Sequence, residues 1–193
     1  NLDVSNPTTH GNIIGQLDYD KVRKAMQDAQ EYTKELIPKI AEEWKKKFGR
    51  YHGGLIEKYK CDGADYILLS MGAIGAESKV AIDNLQKSGV KIGLARVRIF
   101  RPFPTEEILK LAKQANLIVI DRNISIGNEG AVFTEVKSAL YNKTDAKVTG
   151  FIAGLGGRDV TFQDIEIMCK RAIEGKVKGH EWYGFEGGAK VGN

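Results

Sequence analysis

The chain has 193 residues, 42% hydrophobic and 28% charged, with a formal net charge of +4. That is enough to bury one substantial core with an appendage beside it, and too ordinary a composition for a disordered chain. No apolar run approaches the roughly 20 residues of a membrane helix, and the lysines are spread among acids rather than forming a basic stripe with interleaved aromatics, which argues against nucleic acid as a partner.

Residues 1–16 contain Asn6-Pro7, two threonines and two glycines without a helical or strand period, and read as an extended arm. The start at Asn1-Leu2-Asp3 has no Met, basic region or apolar signal core, so a fragment of a longer protein is expected. From Tyr19, apolar residues recur at three-to-four spacing through Val22, Met26, Leu36, Ile40, Trp44 and Phe48, one face of an amphipathic helix. Asp18 or Asp20 is the expected cap, Gly49 follows the end, and Pro38 predicts a kink or a break into two helices. A Gly-Gly connector leads to Leu55–Tyr59, a candidate edge strand.

The chain then alternates regularly. Strands are predicted at Tyr66–Met71, from Val90, at Leu117–Ile120 and at Val148–Ala153. Helices are predicted at Glu77–Lys87, from Thr105, at Gly130–Tyr141 and around Ile165–Ile173. Thr105 is the expected hydroxyl cap of the second of these. Four strands alternating with helices imply βαβ units, hence a three-layer α/β sandwich with a mainly parallel sheet. Ile67, Leu69, Ile92, Leu94, Val119, Ile120 and Ile152 are the expected core. A helical connector over residues 1–60 precedes the α/β domain at 61–193.

Ligands and partner domains of open α/β sheets usually sit at the carboxyl ends of the strands. There, Gly72-Ala73-Ile74-Gly75 opens a helix and would suit a phosphate, but it is neither GxGxxG nor GxxxxGK[ST], and a plain strand-to-helix turn is the simpler reading. Asp121-Arg122-Asn123 reads as an ion pair fixing a loop, with catalysis the alternative. Gly154–Asp159 permits close approach of a ligand or another polypeptide. His10, His52 and His180 fall in irregular segments away from strand tips, and no Ser-His-Asp or Cys-His set is recognisable. Cys61 and Cys169 lack metal or cluster spacing and suit reduced thiols in a cytoplasmic chain. No catalytic, cofactor-binding or metal-ligating residue is therefore expected. What the tips share is arginine on glycine or proline loops, namely Arg98, Arg101, Arg122 and Arg158, which suits an interface.

The succession Gly49-Arg50-Tyr51, Glu57-Lys58-Tyr59, Asp62-Gly63-Ala64-Asp65, Met71-Gly72-Ala73, Arg98–Pro104 (RIFRPFP), Asp121–Gly127 (DRNISIG) and Phe151–Val160 (FIAGLGGRDV) closely resembles the alpha subunit of pyruvate:ferredoxin oxidoreductase, over nearly the whole chain and in the right order. RPFP together with GLGGRD is the specific part. The resemblance implies a transketolase C-terminal-like fold from about Cys61. It also implies that the complete enzyme oxidatively decarboxylates a 2-oxo acid to an acyl-CoA, using thiamine diphosphate, Mg and iron–sulfur clusters, with ferredoxin and coenzyme A as partners. This chain would serve assembly and structure, in contact with other subunits of an oligomer. Met71-Gly72-Ala73 stands where relatives often have Gly-Ser, which leaves the 2-oxo acid open. An independent flavodoxin-like nucleotide- or cofactor-binding module, cradling phosphate at Gly72–Gly75, and a stand-alone dimerisation domain are the alternatives.

Overall fold

A computed structural model describes residues 3–9, 11 and 13–185. His10 lies outside them. The chain runs α1 (Gln16–Phe48), β1 (Ile56–Tyr59), β2 (Tyr66–Met71), α2 (Gly72–Lys87), β3 (Ile92–Val97), α3 (Thr105–Ala112), β4 (Asn116–Asp121), α4 (Ala131–Leu140), β5 (Val148–Ile152), α5 (Phe162–Ile173) and β6 (His180–Trp182). A single 3-10 turn at Leu155–Gly157 precedes α5.

The six strands form one sheet in the order β1-β3-β2-β4-β5-β6. β1 pairs antiparallel with β3, and every other pairing is parallel. Side chains alternate across each strand, so successive residues feed opposite faces. Ile67, Leu69, Val119 and Leu117 pack on one side with Ile108 and Leu111 of α3 and Val132 and Val136 of α4. Leu68, Ile118, Ile120 and Phe151 pack on the other with Ile82 and Leu85 of α2 and Ile165 and Met168 of α5. Two apolar layers sandwiching a sheet buried on both faces explain why the central strands read as continuous apolar runs. The expected core residues are all buried, and the expected three-layer α/β sandwich is the observed one.

Several local expectations need correction. α1 is one helix of 33 residues with Pro38 inside it, so of the kink and the break expected there the break into two helices does not occur; Pro38 lies beside Gly54, where a Cβ would meet the ring at an ordinary contact distance of 3.5 Å. Gly15, not an aspartate, occupies its N-cap, and Asp18 pairs with Lys21 at 2.9 Å in the first turn. Pro104 takes the N-cap of α3 that Thr105 was expected to fill. α2 begins at Gly72, directly after β2, and β6 adds an edge strand where a tail was expected, so His180 starts a strand. Only three residues long, β6 shows too little alternation to be seen in sequence.

Candidate functional site

The chain leaves β2 towards β3 on one side and later places β4 on the other side of β2. This reversal puts the topological switch point at the carboxyl ends of β2 and β4, where open α/β sheets present a crevice. The loops after β2, β3, β4 and β5 surround it.

After β2, Gly72 adopts φ +58°, a left-handed conformation that favours glycine, and lets the chain turn at once into α2. Gly75 serves a different need. A Cβ there would stand 2.7 Å from Cγ of Arg96, so the glycine makes room for that side chain. Arg96 in turn lies 3.4 Å from Glu57, which also meets Lys79 at 2.5 Å. Burial acts to raise the Glu57 pKa, but the Lys79 ammonium and Arg96 guanidinium outweigh it and hold the carboxyl below its ordinary value. Packing against Arg96 accounts for Gly75, and the phosphate-cradle reading loses its motivation.

After β4, Asp121 and Arg122 do not pair with each other, contrary to expectation. Asp121 is buried and accepts the backbone N–H groups of Val132 at 3.0 Å and Phe133 at 2.9 Å, while Asn123 accepts that of Ala131 at 2.9 Å. These side chains cap the first turn of α4 from outside the helix, satisfying donors that no intrahelical carbonyl reaches. Gly130 is required beside them, because a Cβ there would collide with the Asp121 carboxylate. Burial pushes the Asp121 pKa up, and the two N–H donors oppose that shift. Asp121 is thus a structural cap.

Arg122 reaches sideways instead. Its Nε donates to the Gly154 carbonyl at 2.9 Å and its Nη2 to the Arg158 carbonyl at 3.1 Å, tying the β4 loop to the β5 loop. Arg158 donates to the Gly184 carbonyl. α5 then starts on a capping box, in which Thr161 accepts from the Asp164 N–H at 3.3 Å and Asp164 accepts from the Thr161 N–H at 2.9 Å. Tyr183 donates to Asp164 at 2.9 Å and fastens the end of β6 to this corner. Burial, with the Asp164 carboxylate next, pushes the Tyr183 hydroxyl up to about 12.

After β3, Arg101 pairs with Glu135 of α4 at 2.5 Å and stacks over Phe100, 4.3 Å from the ring centroid. Phe100 meets Phe103 edge-on at 6.2 Å. All four arginines are exposed, and Arg98 differs from the other three in that its guanidinium has no hydrogen bond or ion pair among the described residues. The structure therefore places all four arginines at the carboxyl edge, three of them holding loops and one free. Glu135 and Glu129, which pairs with Lys137 and lies 3.6 Å from His180, carry no sequence signal because their partners are distant or on the missed strand.

The thiols are held as neutral groups. Cys169 is fully buried and pushed up to about 12 by that burial, and Cys61 donates to the Leu94 carbonyl at 3.1 Å while burial raises its pKa. This donor set does not fit an iron–sulfur cluster, whose ligands are thiolates. Among the described residues, no group of three His, Cys, Asp or Glu side chains is placed to hold a metal ion, and no helix is long and apolar enough to cross a membrane.

Residues 64–165 match the family described as pyruvate:ferredoxin oxidoreductase core domain II. Ketoisovalerate oxidoreductase subunit VorA of Pyrococcus abyssi is 40% identical over 188 residues, covering 94% of this chain and 48% of the relative. Pyruvate synthase subunit PorA of Methanosarcina barkeri is 42% identical over 167 residues, covering 85% and 42%. The chain spans about half the length of the curated relatives it matches. The solved 2-oxoglutarate:ferredoxin oxidoreductase from Magnetococcus marinus, with 2-oxoglutarate, coenzyme A and succinyl-CoA bound, superposes with a TM-score of 0.50 at 18% identity, over 63% of this chain and 20% of that one, a likeness of fold. Since the family match covers more than half of the sequence, from the start of the sheet's parallel core into α5, this chain belongs to the pyruvate:ferredoxin oxidoreductase core domain II family.

Proposed function

We propose that this chain is part of a thiamine-diphosphate-dependent 2-oxoacid:ferredoxin oxidoreductase, with pyruvate as the preferred substrate class, and that it contributes structure and assembly surface rather than reacting groups. The family match carries this reading. The geometry agrees with it: the polar side chains at the carboxyl edge cap helices and tie loops together. In the complete enzyme, thiamine diphosphate, Mg and the clusters supply the decarboxylation and electron transfer, coenzyme A accepts the acyl group, and ferredoxin takes the electrons. The setting is the cytoplasm.

The division of labour follows the fold. We assign residues 61–193 to the α/β domain, whose described elements run from β2 to β6, and residues 1–60 to a connector and arm that lends β1 to the sheet's edge. Arg98, Arg101, Arg122 and Arg158 mark the docking edge. Arg122, Arg158 and Arg101 stiffen its loops, and a stiff loop loses little further entropy on binding, while Arg98 offers five unengaged donors. The test is co-expression with the remaining subunits of the oxidoreductase from the same source, followed by size-exclusion chromatography with light scattering. Co-elution at fixed stoichiometry is the expected result. A chain that elutes alone while the other subunits assemble fully overturns the reading.

A further inference from the structure

α1 carries an apolar row that the fold leaves uncovered. Tyr32, Leu36, Ile40, Trp44 and Phe48 follow one another at intervals of four, each between 38% and 59% exposed, and α1 buries no residue completely. An uninterrupted row at this interval is the ridge by which one helix seats in the groove of another. Beside its middle runs a cavity of about 250 Å³, lined by Ile37, Ile40, Ala41 and Trp44 on the helix, by His52 of the segment that follows it, and by Arg98 and Ile99 after β3. The floor is apolar and the far wall bears the unengaged Arg98 guanidinium. The last turn of α1 is basic through Lys45, Lys46 and Lys47, and Arg50 follows just beyond its C-cap.

We infer that this ridge and groove receive an amphipathic helix of a partner polypeptide, with apolar residues at i and i+4 against the ridge and aspartate or glutamate against Arg98. The inference rests on the assembly role proposed above and names the surface and the chemistry of its occupant. An apolar row facing a cationic wall selects a helix with an acidic flank, since charge complementarity favours that partner and like charge opposes others. A second copy of this chain fits poorly. The groove's own lining, His52 and Arg98 among apolar residues, holds no carboxylate, so a second copy presenting the same groove would offer Arg98 no acidic partner from it.

The experiment replaces Trp44 with photoreactive p-benzoylphenylalanine in the chain, co-expresses it with the other subunits, and maps the cross-linked peptide by mass spectrometry. The expected product joins position 44 to a helix of another polypeptide that carries an acidic residue within one turn of the cross-link. Arg98→Glu should lower its yield about tenfold, which corresponds to ~1.4 kcal/mol. Cross-links to a second copy, to a segment without acids, or to nothing while the complex stays intact overturn the inference and leave the assembly role standing. Where the chain fails to join the complex, the assembly role itself falls. The groove is then tested on the isolated chain with two labelled 18-residue leucine-based helical peptides, one flanked by glutamates and one by lysines. Fluorescence anisotropy should show the glutamate peptide binding about tenfold tighter and Arg98→Glu reversing the order; equal binding overturns the inference.

Discussion

The Arg101 guanidinium meets the Glu135 carboxylate at 2.5 Å across the gap between the β3 loop and α4, with Phe100 beneath the cation at 4.3 Å. The arginine side chain is 56% exposed, so water screens the pair. Arg101→Ala should therefore lower the stability of the isolated chain by no more than ~1 kcal/mol in urea unfolding. A loss above ~3 kcal/mol would make this pair a main support of the fold.

Gly130 and Asp121 form a second coupled pair. Gly130 has φ −61°, which any residue adopts, so the cost of Gly130→Ala comes from the collision with the Asp121 carboxylate alone. Overpacking of this kind costs about 1–3 kcal/mol, and denaturant melts should show it. Asp121→Ala should cost about 2 kcal/mol or more, because the Val132 and Phe133 N–H groups lose their acceptors. An unchanged midpoint in both variants would remove the capping role.

Tyr183 gives an alkaline signature. Its folded pKa, pushed up to about 12, lies above the ordinary value of 10.0. The neutral hydroxyl therefore contributes stability that is fully present below about pH 10 and is lost as pH rises towards 12. Thermal melts of the wild type against Tyr183→Phe should converge over that window. Parallel curves would show that the hydrogen bond to Asp164 does not form.

Cys169 gives a reactivity signature. A fully buried thiol pushed up to about 12 presents almost no thiolate at pH 8, so an aromatic disulfide reagent should label it only as fast as the chain unfolds. Labelling of Cys169 in the native chain within minutes, without loss of secondary structure, would contradict its burial.

Much of the fold is legible from periodicity. The runs Tyr66–Met71 and Leu117–Ile120 announce buried parallel strands because the sheet is covered on both faces. The carboxyl edge is legible only as a collection of arginines. Where each one points depends on partners far along the chain: Arg101 needs Glu135, and Arg122 needs the carbonyls of Gly154 and Arg158. Local spacing carries no trace of such pairs. Asp121 misleads for a similar reason, since Arg122 is its neighbour in sequence while strand alternation sends the two side chains to different surroundings. The α5 cap is different: Thr161 and Asp164, three residues apart, write it in the sequence. The exposed row on α1 is written there too, but helical spacing alone does not tell a buried face from an uncovered one.

The central claim is that this chain supports the chemistry of a 2-oxoacid:ferredoxin oxidoreductase without performing it. The most direct measurement is 2-oxo-acid-dependent reduction of a one-electron acceptor, with thiamine diphosphate, Mg and coenzyme A supplied, by the isolated chain and by the assembled complex with and without it. The account predicts no turnover by the isolated chain, turnover by the complete complex, and loss of that turnover when the chain is omitted. Turnover by the isolated chain, or an undiminished rate from a complex that lacks it, would contradict the account.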